Sequence, residues 1–163
     1  MAVNGLDKEV AYAAQSVKGR APVAADLQIF PRGLKGRCGV VNAVVKKVLV
    51  VDDSAAEIHL MQSMLQQGGF YTVGLSDPTK IEDAIEEERP NVILLDVVMP
   101  ERNGFQVCRD LKSQGPYANI PVILVTSKTA PSDRYWGAQQ GANGYVAKPF
   151  TPDELINAVK KFV

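Results

Sequence analysis

The sequence predicts a doubly wound α/β domain of five parallel strands flanked by five helices, preceded by an N-terminal extension. Three observations carry this expectation. From Lys47 onward, short apolar runs alternate with amphipathic stretches in a regular strand-then-helix order. The runs are continuously apolar, as burial on both faces of a parallel sheet requires, and do not alternate between apolar and polar. Four of the five runs are followed directly by Asp, Thr or Lys.

Val48–Val51 is β-branched and reads as the first strand, and Ser54–Gln67 follows as a helix with Ile58, Met61, Met64 and Leu65 near 3.6-residue spacing. Gly68–Gly69 stops it. Phe70–Leu75 is the second strand. Asp77–Pro78 opens a helix through Glu88, with an apolar stripe of Ile81, Ala84 and Ile85, and Pro90 ends it. Val92–Leu95 is the third strand, Asp96–Asn103 a loop and Gly104–Ser113 a helix. The fourth strand is Val122–Val125, followed by a polar loop and a helix around Asp133–Gln140. Gly144–Ala147 is the fifth strand. Thr151-Pro152-Asp153-Glu154 then reads as a capping box with proline at the first helical position, opening the last helix.

Of 163 residues, 46% are apolar and 22% charged, an ordinary globular mixture with room for about one domain plus an appendage. No run approaches the roughly 18 apolar residues of a membrane span, and no signal-like leader is present, so the default location is cytoplasmic. Cys38 and Cys108 lack metal-site or disulfide spacing, and His59 is the only histidine, which excludes a histidine-based metal cluster within one chain. Net charge is zero but uneven. Residues 1–47 hold 8 Lys/Arg against 3 Asp/Glu, and residues 48–163 hold 10 against 15, so a boundary is drawn with residues 1–43 as the extension and 44–163 as the domain.

In an open parallel sheet the site lies beyond the carboxyl ends of the strands, where strand order reverses. With the flavodoxin-like order 2-1-3-4-5, that point falls between the first and third strands. Asp52, Asp53 and Asp96 then converge, with Thr126 and Lys148 at neighbouring strand ends. Three packed carboxylates repel one another unless a cation is present. Mg²⁺ suits them because it takes oxygen ligands and commonly links one or two carboxylates to a phosphoryl oxygen. Asp53, Asp96 and the Val98 backbone carbonyl are the expected direct ligands, with Asp52 acting mainly through water. Asp96 is the expected nucleophile. Lys148 and Thr126 would take phosphoryl oxygens as charge spreads over them, and a cis Lys148–Pro149 bond is expected. Taken singly, the Asp pair is more often a helix cap, Lys148 a solvated charge and Thr126 a turn residue. Asp96 is different, because four apolar residues precede it and an unpaired carboxylate there is costly.

VLVVDDS, VILLDVVMPERNGFQVCRDLK, IPVILVTSK and GANGYVAKPF, in that order and spacing, resemble the signature blocks of two-component response-regulator receiver domains. The resemblance covers about Lys46–Val163. It implies that Asp52 and Asp53 are the acidic pair, Asp96 the phospho-acceptor, Thr126 the switch hydroxyl, Tyr145 the switch aromatic and Lys148 the conserved-type lysine. It further implies a sensor histidine kinase or phosphotransfer protein as donor, and a downstream protein target on the face of the fourth helix, fifth strand and fifth helix. The protein is expected to be a phosphoacceptor and not an enzyme in the ordinary sense. The stretch Asp133–Phe150 is similar to stand-alone receivers of type IV pilus twitching or phototaxis systems, notably cyanobacterial ones, and chemotaxis regulators are the wider group. Val98 and Lys128 stand where fast chemotaxis receivers carry a polar amide and an acid, which implies slower self-dephosphorylation here.

Rival readings fit less well. A haloacid-dehalogenase-type phosphatase usually carries a second Asp two positions after the nucleophile, where this chain has Val98. A flavin binder needs a glycine- or hydroxyl-rich phosphate loop where Asp52-Asp53-Ser54 stands. No helix-turn-helix pattern supports nucleic-acid binding, and the basic residues of the extension are scattered. That extension, with helix-compatible Lys8–Gln15 and several Gly and Pro, reads as weakly ordered, or as a basic tether to a membrane surface or acidic partner.

Overall fold

The computed structural model describes residues 45–113 and 115–163. The expectations for residues 1–43, including Lys8–Gln15 and Cys38, lie outside the described residues. The elements run β1 (Lys47–Val51), α1 (Ala55–Gln67), β2 (Tyr71–Leu75), a 3₁₀ turn (Pro78–Lys80), α2 (Ile81–Glu88), β3 (Val92–Leu95), α3 (Gly104–Ser113), β4 (Val122–Thr126), α4 (Pro131–Gln139), β5 (Gly144–Ala147) and α5 (Pro152–Lys160).

All strand pairs are parallel, in the order β2-β1-β3-β4-β5. The strands β1, β3 and β4 are buried along nearly their whole length, so their side chains feed two cores on opposite faces. Val48, Val50, Leu94, Ile123 and Val125 join Ile58, Met61 and Leu65 of α1 and Leu155 and Val159 of α5. Leu49, Val51, Ile93, Leu95 and Leu124 join Ile81 and Ile85 of α2 and Val107, Cys108 and Leu111 of α3. A large aliphatic side chain buried in this way stabilises the fold by about 1.5–3 kcal/mol. These interlocked layers hold the strand ends in fixed relation.

Local signals explain the element ends. Ser54 caps α1, its Oγ accepting the Glu57 N–H. At α5, Thr151 Oγ1 accepts the Glu154 N–H at 3.3 Å while Glu154 Oε2 accepts the Thr151 N–H at 2.7 Å, the reciprocal box expected from sequence.

Several element ends differ from the expected ones by a residue or two. The second helix begins as a 3₁₀ turn, because Asp77 caps Thr79 and its carbonyl accepts the Lys80 N–H, closing a three-residue repeat. It ends at Glu88, as expected, with Arg89 held in the left-handed region (φ 47°) before Pro90. The fourth helix starts at Pro131, two residues earlier than expected, because Asp133 Oδ2 accepts the Ala130 N–H and closes the turn there. Finally, β4 runs one residue further, placing Thr126 in register with Ala147.

Candidate functional site at the carboxyl edge of the sheet

Asp52 and Asp96 each sit one step beyond the last paired residue of their strands. The Asp52 N–H donates to the Leu75 carbonyl and the Asp96 N–H to the Val51 carbonyl, so the ladder itself delivers both carboxylates to the sheet edge. The Lys148 N–H donates to the Thr126 carbonyl at 2.8 Å, and the Lys148–Pro149 bond is cis, as expected. Lys148 Nζ lies 2.8 Å from Asp52 Oδ2, 3.1 Å from Asp96 Oδ1 and 3.5 Å from Glu57 Oε2.

Both aspartates are buried, at 2% and 4% exposure, and Thr126 is fully buried. Each carboxylate also accepts a backbone N–H: Ser54 donates to Asp52 Oδ1 at 2.9 Å, and Val98 to Asp96 Oδ2 at 2.6 Å. Burial pushes the Asp96 carboxyl above its usual range. The Lys148 charge pulls the other way, and Asp52 adds to the rise. For Lys148, burial alone would lower the ammonium pKa, but the hydrogen bond to Asp52 and the charges of Asp96 and Asp52 outweigh it and raise it. One ammonium therefore faces a surplus of negative charge.

The convergence of three carboxylates expected from sequence is only partly realised. Asp52 and Asp96 meet through Lys148, but Asp53 is exposed, and no three His, Cys, Asp or Glu side chains among the described residues form a ready-made metal cage. The chain bends at Asp53 directly after β1, and Asp53 lies exposed there while Asp52 is buried. The donor set still fits Mg²⁺, which keeps several waters and takes few protein ligands: carboxylate oxygens at the edge, a net negative charge, and an exposed Asp53 at the mouth.

Glu57 was not singled out by sequence reading. The available signal was an acid in the first turn of the helix that follows the Asp pair, where it also suits the helix dipole. Val98 presents its N–H to Asp96, while its side chain is 53% exposed. Lys128 is exposed; its N–H donates to Thr126 Oγ1 at 3.3 Å, and its carbonyl accepts the Tyr145 hydroxyl at 2.6 Å. The Arg134 guanidinium lies 5.1 Å from the Tyr145 ring centroid. Beside them is a groove of about 450 Å³ lined by Arg134, Tyr145, Phe150, Glu154, Asn157 and Lys161.

A doubly wound sheet with buried aspartates at the ends of β1 and β3, a hydroxyl at the end of β4 and a lysine after β5 is the arrangement of a receiver-type domain. The chain belongs to the response regulator receiver domain family, which it matches over residues 48–160. It is 35% identical over 113 residues to Protein PilH of Pseudomonas aeruginosa, covering 69% of this chain and 93% of that one. It is 36% identical over 115 residues to the DNA-binding response regulator MtrA of Mycobacterium leprae, covering 71% of this chain and 50% of that one. The chain thus spans about half the length of the MtrA relatives it matches. Among solved structures, Vibrio cholerae chemotaxis protein CheY4 superposes with a TM-score of 0.68 at 29% identity, covering 73% of this chain and 99% of that one. No helix among the described residues is long and apolar enough to cross a membrane.

Proposed function

We propose that this protein is a phosphorylation-activated signalling switch whose phospho-acceptor is Asp96. The observation that supports it most is the buried Asp96 carboxylate sharing Lys148 with Asp52, one strand away from the Thr126 hydroxyl. A histidine kinase or phosphotransfer protein would supply the phosphoryl group. An Asp96 carboxylate oxygen forms the new bond to phosphorus as the donor–phosphorus bond breaks, and the donor leaves with the electron pair.

Catalysis is then positioning and charge neutralisation. Lys148 Nζ and the Val98 N–H already lie on the Asp96 carboxylate and are placed to take phosphoryl oxygens, and Thr126 Oγ1 sits at the neighbouring strand end. Asp53, Asp96 and the Val98 carbonyl would hold Mg²⁺, with Asp52 helping through water; when bound, the ion neutralises phosphoryl oxygen charge. The protein would act as a phosphoacceptor with only its own phosphotransfer and self-dephosphorylation.

The output is a change at Thr126 and Tyr145 that reshapes the α4-β5-α5 face, a two-state element biased by local charge. The groove beside Tyr145 gives a protein target a place to dock. Pilus motility, phototaxis or chemotaxis is the proposed setting, on the resemblance of Asp133–Phe150 and the likeness to PilH and CheY4. Residues 44–163 form the switch and residues 1–43 an accessory segment. Val98 and Lys128 make loss of the phosphoryl group slower than in fast chemotaxis regulators, because neither side chain orients an attacking water; a phosphoryl half-life of seconds would contradict this.

The decisive experiment is incubation with Mg²⁺ and a small phosphodonor, read by intact mass, with beryllofluoride binding followed by Trp136 fluorescence. Labelling that persists in Asp96→Asn refutes the assignment.

A further inference from the structure

The loop between β3 and α3 carries the peptide that touches Asp96. At its base the Gly104 N–H donates to the Val97 carbonyl at 3.1 Å, and Met99 packs against the second core. Glu101 within it holds a left-handed backbone at φ 66°, a conformation that side chains other than glycine rarely adopt. Such a loop keeps its shape only if its surroundings hold it.

Arg102 supplies that hold. Its guanidinium binds both carboxylate oxygens of Glu82 on α2, at 3.1 and 2.8 Å, reaches Asp110 Oδ2 on α3 at 3.2 Å, and donates to the Pro78 carbonyl at 3.4 Å. The side chain is only 21% exposed. A planar fork filling three directions at once is a task for arginine that lysine does poorly. Hydrogen bonding to Glu82, opposed by burial and aided by Asp110, raises its pKa further, so the charge is permanent.

We propose that Arg102 is a positioning residue for chemistry at Asp96: it fastens the β3–α3 loop to α2 and α3 and thereby fixes the Val98 peptide on the Asp96 carboxylate. This rests on the reading of Asp96 as the phospho-acceptor. Arg102 acts four residues away from Val98 and touches none of the reacting groups. In effect it is an outer support of the site, of the kind whose loss commonly costs about 10–100-fold in activity or metal affinity.

The test uses the full chain as Arg102→Met, Arg102→Lys and Glu82→Gln. Amide hydrogen exchange is measured without metal or phosphodonor, and phosphorylation by a small phosphodonor is measured with Mg²⁺. In Arg102→Met, exchange at Val98 quickens by about tenfold while β1 and β4 amides stay within about twofold, separating local release from global loosening. Phosphorylation slows by about tenfold at subsaturating Mg²⁺. Arg102→Lys recovers part of both effects, and Glu82→Gln reproduces part of both. Unchanged Val98 exchange in Arg102→Met, or a uniform rise across all amides, overturns the proposal. Because the exchange arm needs no phosphoryl transfer, failure of the unaltered chain to accept phosphoryl overturns the phospho-acceptor reading alone.

Discussion

Replacing Lys148 by methionine removes the cation that Asp52 and Asp96 share among the described residues. The two carboxylates are 2% and 4% exposed, so water screens neither, and the ammonium lies 2.8 and 3.1 Å from them. After the change each keeps a backbone N–H, from Ser54 and Val98, but no positive charge at contact distance. Removing one partner of a buried charge cluster typically costs about 3–5 kcal/mol. With about 4 °C of Tm per kcal/mol for a domain of this size, the loss is about 12–20 °C at pH 7.5 without divalent ions.

Proton uptake relieves the strain, and its sign is fixed. Asp96 already has a raised pKa, from burial first, and loses the opposing pull of Lys148 in the variant. A carboxyl whose folded pKa exceeds its unfolded value carries its full penalty above the folded pKa, and the penalty vanishes below the unfolded value near 3.9. The deficit must therefore shrink as pH falls from 7.5 toward 4. Thermal melts followed by circular dichroism at several pH values, with chelator present, measure it. A deficit under about 1 kcal/mol at pH 7.5, or one that grows with acidity, would refute the picture of a shared, buried ammonium.

Three further outcomes follow from the same geometry. Asp96→Asn raises stability by on the order of 1 kcal/mol at pH 7.5, since the raised pKa means the ionised form is penalised by the fold, and the gain fades as the pH approaches 4; a destabilised variant in urea titration would contradict this. Gly104→Ala costs upwards of about 3 kcal/mol, because a Cβ there would stand 2.0 Å from the Asp96 carbonyl oxygen and 2.8 Å from Val97 Cα, both backbone atoms; a loss below about 1 kcal/mol in the same titration counts against the tight β3–α3 approach. The Cys108 thiol is fully buried and pushed up to about 11 by that burial. In a Cys38→Ser background it should react with a thiol reagent far more slowly in native than in denatured protein, and comparable rates would place it nearer the surface.

Much of the fold was legible because its signals are local. Continuous apolar runs such as Val92–Leu95 have no other comfortable place than a sheet covered on both faces, and caps such as Thr151 with Glu154 act within a single turn. Asp96 stood out for the same reason, an acid directly after a fully buried strand. The opening at Asp77–Pro78 was placed correctly but not its 3₁₀ form, and the start at Pro131 was missed, because turn geometry at a helix end is not encoded in spacing.

By itself, then, the sequence determined the order of elements, the two-sided burial of the strands and the strand-end positions of Asp52, Asp96, Thr126 and Lys148. Periodicity and chain order suffice for these. Only the tertiary structure decided which side chains meet. Lys148 reaches Asp52 across 96 residues, Asp53 stays exposed beside the buried Asp52, Glu57 joins the lysine, and Arg102 ties its loop to Glu82 twenty residues upstream. Such contacts depend on where packed elements bring flexible charged side chains, and spacing along the chain carries no record of that.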